Sequence, residues 1–101
     1  MIEVILETER GEVIRECSDG TNVMLRAFDR ANIDPSSYLS DIDAYGNTIF
    51  NRGQAPKVLK EWLAIDEHFV TTEEREVFAF VRGCLDRMRE EPHWYLRFVG
   101  D

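Results

Sequence analysis

The residues best suited to chemistry include two closely spaced carboxylates, Asp41 and Asp43, which precede Gly46. A helix–loop–helix calcium site needs oxygen ligands at its first, third and fifth positions and a glutamate at its twelfth. Counted from Asp41, the fifth position is Tyr45 and the twelfth is Arg52. The spacing therefore predicts no calcium loop. It leaves two interpretations: a solvated turn, or a small enzyme or weak divalent-metal site using Asp41 and Asp43.

The histidines and cysteines do not form a recognisable centre. His68 and His93 are far apart in sequence, and Cys17 and Cys84 form no Cys-x-x-Cys pair. Tetrahedral zinc needs three or four converging ligands. The motifs of serine hydrolases, phosphate loops and dinucleotide sites do not occur in the sequence. We therefore expect a protein that is not an enzyme and has no cofactor and no metal site.

Tyr45 is the residue best suited to contact another protein. It lies in a predicted turn over residues 43–46, where a core role is difficult. Tyrosine and arginine contribute disproportionately to binding energy at protein interfaces. We predict a partner-binding surface formed by Tyr45, Asp41, Asp43 and Arg52.

The charge balance limits the choice of partner. The chain has 12 Lys and Arg residues against 20 Asp and Glu residues, a net charge of −8. Nucleic acids and anionic membranes require a basic face, so we expect neither as a partner. An acidic surface steers association towards a basic protein, although charge that serves solubility alone is the alternative interpretation.

The start of the chain carries acid where a signal peptide carries base, since it reads Met1-Ile2-Glu3. No apolar run approaches the roughly 18 residues of a membrane-spanning helix. We therefore expect a cytoplasmic protein.

The elements that must position these residues follow from hydrophobic periodicity. Apolar alternation predicts strands, and apolar residues at helical spacing predict helices. Thr71 and Glu74 have the spacing of a capping box, which predicts that the longest helix begins there. Glu90, Glu91 and Pro92 predict its end. The predicted strands cover residues 2–7, 12–16, 38–43, 48–50 and 94–99, and the predicted helices begin near Asn22, at Asn51 or Gln54, and at Thr71 or Thr72.

The resulting order is β-β-α-β-β-α-α-β in a single domain over residues 1–101. Hairpins imply antiparallel pairing, and three amphipathic helices need a common apolar face. We predict an α+β fold: an antiparallel sheet of about five strands with three helices packed mainly on one face.

The second half of the chain carries two particular motifs. They are Asp43-Ala44-Tyr45-Gly46-Asn47-Thr48, followed by Asn51 and Gln54, and the closing Leu96-Arg97-Phe98-Val99-Gly100-Asp101. With them the chain resembles a group of small, uncharacterised bacterial proteins that share an Asp-x-Tyr-Gly-x-Thr turn and a Leu-x-Phe-x-Gly-Asp ending. This resemblance implies a grouping and no particular mechanism.

In size and charge the chain is also similar to immunity proteins, which neutralise secreted bacterial toxins. That similarity implies a non-enzymatic protein-interaction module of a bacterium, an immunity-type inhibitor of a basic toxin. A homo-oligomeric structural protein is a further alternative.

Overall fold

The chain folds into one antiparallel sheet with helices against one of its faces. The computed structural model describes residues 1–91 and 93–101. Short 3-10 turns at Leu39–Asp41 and Asp66–His68 join some of its elements. In chain order the elements are β1 (Ile2–Thr8), β2 (Val13–Ser18), α1 (Val23–Ala31), β3 (Asn47–Phe50), α2 (Ala55–Ala64), α3 (Thr72–Met88) and β4 (Trp94–Gly100).

The last strand lies inside the sheet, whose order is β2-β1-β4-β3. β4 pairs with β1 from Ile2↔Gly100 to Thr8↔Trp94. It pairs with β3 from Asn47↔Val99 to Phe50↔Leu96. Because β4 has a partner on both sides, the apolar end of the chain is held in the sheet, and β2 and β3 form the two edges.

One face of the sheet carries the core. Ile2, Val4 and Leu6 of β1 and Leu96 and Phe98 of β4 are fully buried in the cluster that the helices complete. These residues alternate along their strands, so the residues between them point to the opposite face. On that face Val13 and Ile49 of the edge strands are exposed, while Ile5 and Glu7 of the central strand β1 are buried. We call that second surface the open face.

Aromatic rings fill the space between the helices. The ring of Trp62 stacks on Phe78 with centroids 5.5 Å apart and meets the edge of Phe28 at 6.0 Å. The buried indole Nε1 donates a hydrogen bond to the Phe78 carbonyl at 3.1 Å. The polar atom of this large side chain is therefore satisfied inside the core.

A buried carboxylate joins α1 to α3. Glu74, only 1% exposed, accepts hydrogen bonds from both terminal nitrogens of Arg30, at 2.8 and 2.5 Å. It also accepts the N–H groups of Val70 and Thr71, while Thr71 Oγ1 accepts the N–H of Glu74. We call this set the Arg30–Glu74 junction. The Arg30 hydrogen bonds, with those of the two N–H groups, hold the pKa of Glu74 at about 2, although burial opposes the shift.

The α+β class, the antiparallel sheet, the three helices and the capping box of α3 are confirmed. Pro92, predicted to help end α3, lies outside the described residues. Within the described part of the chain, no helix has the length and apolar character needed to cross a bilayer.

The strand predicted over residues 38–43 is wrong, and the described sheet has four strands where about five were predicted. The segment forms the 3-10 turn Leu39–Asp41. The N–H groups of Tyr38 and Leu39 donate to the carboxylate of Glu61 on α2, at 3.2 and 3.1 Å. Ser40 Oγ donates to the carbonyls of Pro35 and Ser37. These bonds replace the ladder that a strand would need.

Candidate partner-binding surface

The turn around Tyr45 is built by short-range hydrogen bonds. Asp43 Oδ1 accepts the Tyr45 N–H at 2.8 Å, as a turn-initiating aspartate does. Thr48 Oγ1 donates to the Asp41 carbonyl at 3.0 Å and accepts the Asp43 N–H at 3.2 Å. Ile42 is buried and ties the segment to the core. The sequence of this turn therefore specifies its shape locally.

The end of β4 contacts the backbone of this turn. The Gly100 N–H donates to the Gly46 carbonyl at 2.8 Å. A Cβ atom at Gly100 would lie 2.2 Å from the carbonyl oxygen of Ala44 and 2.4 Å from that of Asp43. Only glycine lets the two backbones approach this closely. The turn is therefore fixed by a long-range contact as well as by its own hydrogen bonds.

The Tyr45 side chain extends from this fixed turn into solvent. It is 84% exposed, the highest value among the exposed large hydrophobic side chains. Asp41 and Asp43 are exposed beside it in sequence. In the described part of the chain, neither carboxylate forms a salt bridge. The turn thus offers an aromatic ring and two uncompensated negative charges on a preorganised backbone. We call Asp41, Asp43 and Tyr45 the Tyr45 turn.

Arg52 lies away from this turn. It follows β3, whose four residues span about 13 Å at the usual rise of a strand, whereas Tyr45 precedes β3. Its Nη2 donates to the Arg89 carbonyl at 3.0 Å, just after the end of α3. Three of the four predicted residues therefore come together, and Arg52 joins the start of α2 to the end of α3.

Sequence reasoning missed the open face as a candidate surface. Its centre holds Arg97 of β4, which donates to both carboxylate oxygens of Glu7 at 2.9 and 3.2 Å. Ile49 and Val13 on the edge strands are 53% and 52% exposed. The available signal was the alternation of β4 together with the apolar Ile49 in β3. Recognising it required the strand order, which single-strand patterns do not supply.

The thiols are poor nucleophiles in this environment. Burial raises the pKa of Cys17 to about 11, with a further rise from the charge of Asp19 that Arg15 partly offsets. Burial is also the main cause that raises the pKa of Cys84 to about 11. Both side chains therefore remain neutral thiols at neutral pH, and the nucleophilic form is the thiolate.

Each of the two histidines lies near a different glutamate. His93 Nδ1 is 3.4 Å from Glu9, and His68 Nε2 is 3.7 Å from Glu67.

Over residues 1–91 and 93–101, no group of three or more His, Cys, Asp or Glu side chains is arranged to hold a metal ion. Asp43 also commits one carboxylate oxygen to the Tyr45 N–H, which reduces what the Asp41–Asp43 pair could offer a cation.

Comparisons of this chain with protein-family models, with curated proteins and with solved structures return no match.

Proposed function

We propose that this chain is a non-enzymatic protein-interaction module that binds a basic protein through the Tyr45 turn and the adjoining open face. The observation that carries the proposal is the exposed Tyr45 ring, 84% accessible on a turn held by the Asp43 and Gly100 contacts. A rigid aromatic anchor loses little conformational entropy on binding, so more of its contact energy appears as affinity.

The open face adds the area that the turn lacks. Its strands are about 4.8 Å apart and up to seven residues long, which gives a plan area on the order of 400 Å². A stable interface buries about 800 Å² on each partner. Neither region alone offers that much, so we assign the interface to both. The turn contacts the helix side of β4 at Gly100, and the interface continues around the edge strand β3 to Ile49 on the open face.

Charge favours a basic partner at this surface. Glu3 and Glu16 are exposed on the open face, and Asp41 and Asp43 are exposed at the turn. Arg97 is the basic side chain at the centre of the face, and Glu7 already neutralises it. A partner with lysine and arginine around an apolar centre would complement this pattern and associate faster at low salt.

The biological form that we propose for this function is an immunity-type inhibitor that blocks a basic bacterial toxin. Inhibition would follow if the bound surface covered the toxin's own substrate site. An immunity-type inhibitor has a further measurable consequence: the activity of the partner should fall in proportion to the fraction of it that is bound.

The test is affinity capture at low salt with the full chain, followed by titration of each captured protein by calorimetry. We expect Tyr45→Ala to weaken a genuine complex by about 2 kcal/mol, roughly thirtyfold, as for an aromatic anchor. Asp41→Asn should mainly slow association and reduce its salt dependence.

Val70→Ala is the matched control, because the Val70 side chain is 67% exposed and its backbone N–H belongs to the Arg30–Glu74 junction, which lies outside this surface. A partner that binds Tyr45→Ala and Ile49→Glu as tightly as the wild type would overturn the proposal. So would a low-salt capture that recovers no specific partner.

Self-association is the second candidate, favoured by the exposed Ile49 and Val13 on the two edge strands. Sedimentation equilibrium separates the two candidates. A dimer that Ile49→Glu dissociates would favour a homo-oligomer, whereas a monomer across the concentration range would leave the surface for a different protein.

A further inference from the structure

A cleft lies where the turn after β2 faces the first half of α3. It has a volume of about 490 Å³. Its walls are the backbone of residues 18–21 on one side and α3 on the other, with Cys17 and Phe80 among the lining side chains. A volume of this size is typical of small-molecule sites. The cleft does not include any residue of the Tyr45 turn.

The turn that forms one wall is firmly anchored. Asp19 is 3% exposed, and its carboxylate accepts the Ile2 N–H at 2.8 Å and the Met24 N–H at 3.3 Å. The Asp19 N–H donates back to the Ile2 carbonyl at 2.9 Å. This wall is therefore preformed and does not have to be ordered by a ligand.

The lining combines apolar and aromatic surface. Cys17, Val77 and Phe80 contribute it, and the Cys17 thiol is neutral at neutral pH because burial raises its pKa to about 11. The Phe80 ring already accepts one cation, since the Arg15 guanidinium carbon lies 4.7 Å from its centroid. Such a lining suits an apolar or aromatic group.

Two exposed carboxylates lie at the same cleft. Glu73 and Glu76 are three residues apart on α3, so their side chains are neighbours on the helix surface. Within the described part of the chain, neither forms a salt bridge. Among the described residues, the lining contains no lysine, arginine or histidine, and Arg15 lies beside it on the Phe80 ring. A cation placed between Glu73 and Glu76 would relieve their mutual repulsion.

We propose that this cleft binds a small organic cation, with an aromatic or alkyl body against Phe80 and Val77 and an ammonium group at Glu73 and Glu76. The lining favours a free small molecule over a single lysine side chain of a protein partner, because a lysine side chain has no aromatic or branched body to place against Phe80 and Val77. The site is independent of the function proposed above.

The test uses the ¹⁵N-labelled full chain and follows amide shifts by NMR as 2-phenylethylamine is added. We expect saturable shifts at residues 18–21 and 73–80, with a dissociation constant on the order of a millimolar, as suits a ligand of this size. The anion 3-phenylpropionate has a similar body and should leave these amides unmoved. Methylamine lacks the body and should bind at least about tenfold more weakly.

Two variants locate the site, and a third is the control for net charge. Glu73→Gln combined with Glu76→Gln should weaken 2-phenylethylamine about fivefold, the effect of two exposed charge pairs. Glu12→Gln combined with Glu90→Gln changes the net charge equally at exposed positions outside the cleft and should not weaken it. Thr21→Trp should obstruct the cleft without disturbing the core, because Thr21 is exposed.

The proposal is overturned if 3-phenylpropionate or methylamine matches 2-phenylethylamine. It is also overturned if both charge-changing double variants weaken binding equally, or if no saturable shift appears. Tighter binding of Nα-acetyl-lysine methylamide than of 2-phenylethylamine would overturn the small-molecule assignment in favour of a lysine side chain.

Discussion

The Arg30–Glu74 junction and the Tyr45 turn both use a carboxylate to organise backbone, with opposite outcomes. Glu74 is 1% exposed and accepts hydrogen bonds from Arg30 and from two backbone N–H groups. Asp43 holds a backbone N–H but leaves Tyr45 84% exposed. A fully satisfied interior network specifies the packing of the fold. A turn that is rigid in its backbone and open at its side chain can instead contact another molecule.

The largest expected effect comes from breaking the junction. Glu74→Ala removes the acceptor of two backbone N–H groups and of Arg30, which is 38% exposed and keeps its hydrogen bond to the His68 carbonyl. We therefore expect a loss of about 2–4 kcal/mol in the free energy of unfolding. Urea denaturation measures it. Glu73→Ala, one residue away and exposed, is the control and should cost less than about 1 kcal/mol. Equal losses in both variants would contradict a structural role specific to Glu74.

Acid should weaken the same junction by a smaller amount. The folded pKa of Glu74 is about 2 and its ordinary value is 4.5. Because the folded pKa is the lower one, the ionised carboxylate stabilises the fold fully above about pH 4.5. That contribution is lost as pH falls towards 2.

The measurement is the gap in urea midpoint between the wild type and Glu74→Gln at a series of pH values. We expect a constant gap above about pH 5 that narrows steadily below it. Taking the difference removes the titration of the other carboxylates. A gap that stayed constant down to about pH 2 would show that folding does not lower the pKa of Glu74.

The long-range support of the Tyr45 turn gives the next effect. Gly100→Ala places a methyl group 2.2 Å from the Ala44 carbonyl oxygen, so the backbone has to move. We expect a loss of about 1–3 kcal/mol, the usual cost of overpacking. Amide exchange should accelerate over residues 43–47 and remain unchanged at the junction. Wild-type exchange over the turn would mean that β4 does not hold it.

Elements that neighbouring residues determine could be predicted from the sequence, whereas elements that depend on distant residues could not. The start of α3 was predictable because Thr71 and Glu74 are three residues apart and complete a capping box by themselves. Residues 38–43 do not form the predicted strand, because Glu61 on α2 accepts two of their N–H groups. No local pattern contains that partner.

The candidate surface likewise combines features that neighbouring residues determine with features that depend on distant residues. Tyr45 could be placed at a turn because Asp43 and Gly46 are turn residues in its immediate sequence. The support from Gly100 could not, because it joins residues more than fifty positions apart. The position of Arg52 apart from the turn has a long-range cause as well, since its contact with Arg89 depends on where α3 ends.

The smallest expected effect on stability comes from truncating the exposed Tyr45 ring. Tyr45→Ala should change the free energy of unfolding by less than about 0.5 kcal/mol, because the exposed ring contributes little to the packing of the fold. Thermal and urea denaturation of the purified variant measure it. A loss above about 1 kcal/mol would mean that the ring packs on the chain and is not free for a partner. With stability unchanged, any loss of binding in Tyr45→Ala is attributable to the interface itself, which a variant of the junction could never show.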